Sequence, residues 1–149
     1  MLACVVGMAT FMSGCSGQKP KPKPSSIVAV VDVSGSAGAK SIDGYVNDVL
    51  VLFEQTPRCS QITVIPVLDK QTGEQWKVDV PCENDQIVAD DDLKAAKKQI
   101  TTGLPDALKE WAKRGSYSDY IGALHFGSEL LKTDTRRRFL VMLGDGIHY

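Results

Sequence analysis

The sequence predicts an α/β domain of three layers, in which helices cover both faces of a mostly parallel sheet that carries one antiparallel edge strand. Three observations lead there. Two runs, Ile27 to Val33 and Phe139 to Leu143, are apolar without the alternation of a half-wet strand, as expected of strands covered on both faces. Segments of helical period lie between strand-like segments, the pattern of a parallel sheet with crossover helices. A shorter stretch, "WKVDV", alternates residue by residue, which marks an edge strand with one solvated face.

Each element follows in order. After the first strand, Ile42, Tyr45, Val46, Val49, Leu50 and Phe53 recur at helical spacing and predict an amphipathic helix of roughly four turns. "QITVIPVL", Gln61 to Leu68, reads as a second strand, and its Pro66 has no N–H to donate, so it belongs where a ladder partner is absent. The polar turn "DKQTGEQ" leads into the edge strand, with Trp76, Val78 and Val80 on one face and Lys77 and Asp79 on the other. In "ENDQIVADDD" the last aspartates are expected at the positive end of a helix starting near Leu93, and no calcium-loop spacing is present. Leu93, Ala96 and Ile100 carry the helical period to "TTGLP", where Gly103 and Pro105 are expected to break or kink it. A second segment then carries Leu104, Leu108 and Trp111. After "RGSYSDY" a further helix is expected to bury Ile121, Leu124 and Leu131, and "RRR", Arg136 to Arg138, reads as the solvated start of the last strand rather than a phosphate patch.

At 149 residues and 43% hydrophobic, the chain supports one domain with a real core. A net charge of -1 provides no global basic field, which argues against nucleic-acid binding. Residues 1–15, "MLACVVGMATFMSGC", are apolar, uncharged and too short to span a bilayer, and read as an export signal. Their end, "MSGC", resembles the bacterial lipobox. That resemblance implies that Cys15 receives a diacylglycerol thioether and becomes the mature N-terminus, anchoring the protein by lipid in the bacterial cell envelope. Met12 stands where Leu is usual and no Lys or Arg precedes the run, so a start further upstream is expected; a plain cleaved signal is the alternative. Residues 16–26 alternate Pro with Lys19, Lys21 and Lys23, an extended solvated tether. The α/β domain is assigned to residues 27–149. Cys59 and Cys82 flank two strand-like segments; they are either bridged in an oxidising compartment or two unlinked thiols.

In an open parallel sheet, ligands bind beyond the carboxyl ends of the strands. The first strand here ends "DVSGS" and the last ends "GDG". If the two are neighbours, Asp32, Ser34, Ser36 and Asp145 converge on one rim. Carboxylates and hydroxyls without thiolate or imidazole are hard donors, which favours Mg²⁺, Mn²⁺ or Ca²⁺ over Zn²⁺. The bland alternative has Asp32 and Ser36 merely capping the first helix. His125 and His148 read as ordinary surface or core residues.

"DVSGS" has the D-x-S-x-S form of the metal-ion-dependent adhesion site of von Willebrand factor A domains, a Rossmann-like family. "VMLGDG" resembles that family's later strand, commonly ending T-D-G, with Gly144 replacing Thr. "SDYIGAL", Ser118 to Leu124, is similar to its third element, a T-D/N-I-x-x-A-L helix start. The resemblance implies that Ser34, Ser36 and Ser118 coordinate a divalent ion through their hydroxyls, while Asp32 and Asp145 act through bound waters and hydrogen bonds. It further implies no catalysis, and a protein partner that offers an Asp or Glu carboxylate to the ion. The family's sheet runs 3-2-1-4-5-6, so the chain is expected to be a fragment, or to have a partner complete its sheet at the apolar last strand. Competing expectations are a metal-free structural lipoprotein and an actin-like or sugar-kinase-like nucleotide binder, the latter opposed by the helical period of residues 41–55 where a hairpin is required.

Overall fold

β1 (Ser25–Asp32) is buried along its whole length, because its alternate side chains enter two separate cores. Ile27, Ala29 and Val31 join one cluster with α1 (Ala39–Gln55), while Val28 and Val30 join the other. The computed structural model describes residues 22–33, 39–70, 72–82, 86–114 and 119–143. The remaining described elements are β2 (Gln61–Val67), β3 (Trp76–Asp79), α2 (Gln86–Ala112), α3 (Tyr120–Lys132) and β4 (Arg137–Leu143).

The sheet order is β3-β2-β1-β4. β1 pairs in parallel with β2 (Ser26↔Gln61 to Asp32↔Val67) and with β4 (Ser25↔Arg137 to Val31↔Leu143), and β3 runs antiparallel to β2. Helices α1 and α2 pack on one face, α3 on the other. The chain is therefore the Rossmann-like three-layer α/β domain expected from its sequence, mostly parallel with one antiparallel edge. Each fully buried Val or Ile of the two clusters contributes about 2 kcal/mol of hydrophobic stabilisation. Pro66 pairs with Val31 of β1 and lies two residues beyond Val64↔Trp76, the pair at which β3 begins, so its missing N–H costs the β2–β3 ladder nothing. β3 shows the expected alternation, with Val78 and Val80 buried and Lys77 and Asp79 exposed.

Three expectations about helices need correction. Gly103 and Pro105 do not divide α2, which runs as one helix of 27 residues with Pro105 inside it. Ile100, Leu104, Leu108 and Trp111 form a continuous buried stripe through the proline, so packing against α1 and the sheet outweighs the hydrogen bond that Pro105 cannot donate. This helix also starts at Gln86, which puts Asp90, Asp91 and Asp92 inside it, on its exposed surface, rather than at its positive end. In α3, Ile121 is 82% exposed instead of buried, and the face turned to the sheet is made by Ala123, Gly127 and Leu131. A Cβ on Gly127 would stand 2.8 Å from Leu140 Cδ1, 3.2 Å from Val28 Cγ1 and 3.3 Å from Ile65 Cδ1, so a larger residue there would require the facing side chains to shift.

The pair Cys59 and Cys82 lies at disulfide distance, with Cα atoms 4.4 Å apart. Around it the β2–β3 pairing is extended by Cys59 N–H to the Val80 carbonyl (3.0 Å) and Val80 N–H to the Ser60 carbonyl (2.8 Å).

Candidate functional site

The chain moves outward from β1 to β2 to β3, then returns to the opposite side of β1 as β4. The reversal makes the carboxyl ends of β1 and β4 the switch point of the sheet, the place where an open α/β sheet leaves a crevice between diverging connections. Asp32 is the last residue of β1 and sits at that point, with only 6% of its surface exposed. A carboxylate so buried needs hydrogen-bond donors to offset its lost hydration.

One donor is the hydroxyl of Tyr120, which donates to Asp32 Oδ2. The residue before it fixes that contact. Asp119 caps α3 by accepting the Gly122 N–H on Oδ1 at 2.8 Å, and its own N–H donates to the carbonyl of Leu68 at 3.2 Å. Gly122 has no Cβ because one would run into the Asp119 carboxylate. The start of α3 is thus docked on the carboxyl ends of β1 and β2 together.

Of the metal ligands expected from the sequence, Asp32 lies within the described residues. Ser34, Ser36, Ser118 and Asp145 lie outside them, as do Cys15 and His148. Their described neighbours reach the same rim: Val33 follows Asp32, Asp119 follows Ser118, and Leu143, paired beside Val31, precedes "GDG" in the sequence. His125 is exposed on α3. Tyr120 was not among the expected site residues; its place directly after the Ser-Asp of "SDY" was the available signal.

Among the described residues the rim offers one hard oxygen donor of the expected set, the Asp32 carboxylate. A buried carboxylate held by a phenol stays oriented and able to accept hydrogen bonds from metal-bound water. Among the described residues no three His, Cys, Asp or Glu side chains gather, and no helix is long and apolar enough to cross a membrane. No protein-family model and no curated protein matches the chain.

Proposed function

We propose that this chain is an envelope-anchored, non-enzymatic binding module of the von Willebrand factor A type, which takes a protein partner's carboxylate through a divalent ion, Mg²⁺ or else Mn²⁺ or Ca²⁺. The observation that carries this reading is the buried Asp32 at the switch point of the sheet, hydrogen-bonded by Tyr120 from the segment that also contains Ser118. The order β3-β2-β1-β4 is the one the resemblance implies for its first four strands, which supports the same reading.

In this proposal Ser34, Ser36 and Ser118 hold the ion through their hydroxyls, and Asp32 and Asp145 hold its water ligands. Bound there, the ion would supply a coordination position open to an Asp or Glu side chain of the partner. Tyr120 keeps Asp32 from rotating away from the rim. Cys15 provides the lipid anchor and residues 16–24 the spacer, since Ser25 and Ser26 already belong to β1. β4 offers the side of the sheet where a partner, or a further segment of the protein, completes it.

The test is a metal titration followed by thermal unfolding, with capture from envelope extract in the presence and absence of chelator. Mg²⁺ or Mn²⁺ is expected to raise the melting temperature of the parent and to leave Ser34→Ala unmoved. Tyr120→Phe is expected to weaken Mn²⁺ binding by about tenfold or more, the usual cost of losing a group that orients a metal site. A partner retained equally with and without chelator, by parent and Ser34→Ala alike, removes the metal from the mechanism. An Asp32→Ala protein with unchanged metal response and partner capture favours the metal-free structural reading instead.

A further inference from the structure

At the pole of the sheet opposite Asp32, where the tether enters the domain, cations collect. The Arg137 N–H donates to the Pro24 carbonyl at 3.2 Å, so the end of the tether runs beside the start of β4. Between the two lies a concave site of about 370 Å³ lined by Lys23, Pro24, Thr135, Arg136 and Arg137. Not all of its charge is available. The Arg136 guanidinium is committed to Asp134, with Nη2 to Oδ2 at 2.6 Å and Nε to Oδ1 at 3.0 Å, and it also feels Asp79. Lys132 stands 3.5 Å from Glu129. Lys23 and Arg137 remain as an exposed, net positive surface, with Lys19 and Lys21 preceding them in the sequence; exposed Arg138, on the other face of β4, adds charge while its Nη1 donates to the Lys132 carbonyl at 3.4 Å.

Immediately along β4, Phe139 (41%) is exposed on the face of Arg137, whose guanidinium lies 5.4 Å from the centre of its ring, and Leu140 (39%) and Met142 (50%) are exposed on the opposite face of this outer strand. Cations beside exposed apolar side chains match the boundary between lipid headgroups and acyl chains, where phosphate takes the charge and hydrocarbon the rest. A guanidinium and a hydroxyl in one concavity suit a phosphate oxygen.

We propose that this pole docks on an anionic phospholipid bilayer, with a headgroup phosphate seated among Lys23, Thr135 and Arg137. The arrangement has a consequence for the other end of the molecule. β1 connects the two poles over about 25 Å, so a docked domain presents the Asp32 rim away from the lipid. The docking does not depend on the proposed metal site, and it rests on the envelope reading only for the presence of a bilayer nearby.

The experiment uses the full chain carrying Cys15→Ser, so that no acyl chain contributes, with vesicles of pure phosphatidylcholine or with about one third phosphatidylglycerol. Sedimentation is expected to show preferential binding to the anionic vesicles, weakened by salt. Each basic residue near the surface strengthens binding about fivefold, so Arg137→Glu/Arg138→Glu is expected to weaken it at least about twentyfold. Lys94→Glu/Lys98→Glu on the exposed side of α2, an equal change in net charge, is expected to do much less; Lys23→Glu, outside every helix and strand, checks the result without touching the fold. Equal binding to both vesicle types, equal loss in the two double variants, or full displacement by millimolar inorganic phosphate overturns the proposal. The last outcome would mark a free-phosphate site. Labelling of Cys15 by lipid in cells is a separate readout, so failure of the anchor and failure of the docking surface are distinguishable.

Discussion

Asp134 shows how a single carboxylate is tied into the amino-terminal end of the sheet. The Arg136 guanidinium hydrogen-bonded to it, aided by the Arg136 N–H and the Ser26 hydroxyl, holds its carboxyl well below the usual carboxylate range, against a partial loss of hydration that pushes the other way. A folded-state value below the unfolded one, about 3.9 for Asp, contributes stability that is fully present above that unfolded value. The stability is lost as pH falls through the unfolded value toward the folded one. Asp134→Asn is therefore expected to destabilise the protein by about 2 kcal/mol at neutral pH, the worth of a charge-assisted pair, measured by urea unfolding. The difference from the parent should shrink below about pH 4. A gap of constant size from neutral to acid pH would show that Asp134 acts through shape and not charge. Residue-scale legibility was uneven: Asp32 was readable from its place at the end of an apolar run, whereas its Tyr120 partner lies 88 positions away and no local pattern pairs the two.

At the scale of elements, periodicity carried most of the information, and it failed where packing decided between two faces. α1 buries Ile42, Tyr45, Val46, Val49 and Phe53 as their spacing requires. In α3 the apolar residues surround the helix too evenly for spacing to choose a face; the small residues Ala123 and Gly127 choose it, by permitting close approach. In α2 the proline signal was real but local, and a long buried stripe overrode it. Gly127→Val tests the close approach. The added Cβ alone would crowd Leu140 and the fully buried Val28 and Ile65, the two methyl groups beyond it add further bulk, and overpacking of this kind costs about 2 kcal/mol or more. The expected result is a lower denaturation midpoint with helical content retained, whereas a midpoint equal to the parent's would mean that α3 can lift freely from the sheet.

For the whole molecule, the dominant feature is the inequality of the sheet's two sides. β3 closes one side with a short strand carrying Lys77 and Asp79, charges that blunt an edge. On the other side, among the described residues, β4 has a strand neighbour only in β1 and leaves Phe139, Leu140 and Met142 exposed. An apolar edge of that kind recruits further strands. The protein is expected to self-associate at high concentration in sedimentation experiments, and Leu140→Lys/Met142→Lys to raise the monomer fraction; a parent that stays monomeric throughout contradicts this.

Asp119 and Tyr120 grip two different strands from adjacent positions, one through the Leu68 carbonyl and the other through the Asp32 carboxylate. Tension applied at Asp32 by anything pulling on that end is therefore divided between β1 and β2, with α3 as the cross-brace. Parallel strands loaded together shear their ladder bonds simultaneously instead of peeling them one after another, so a domain built this way resists force best along the direction of its strands.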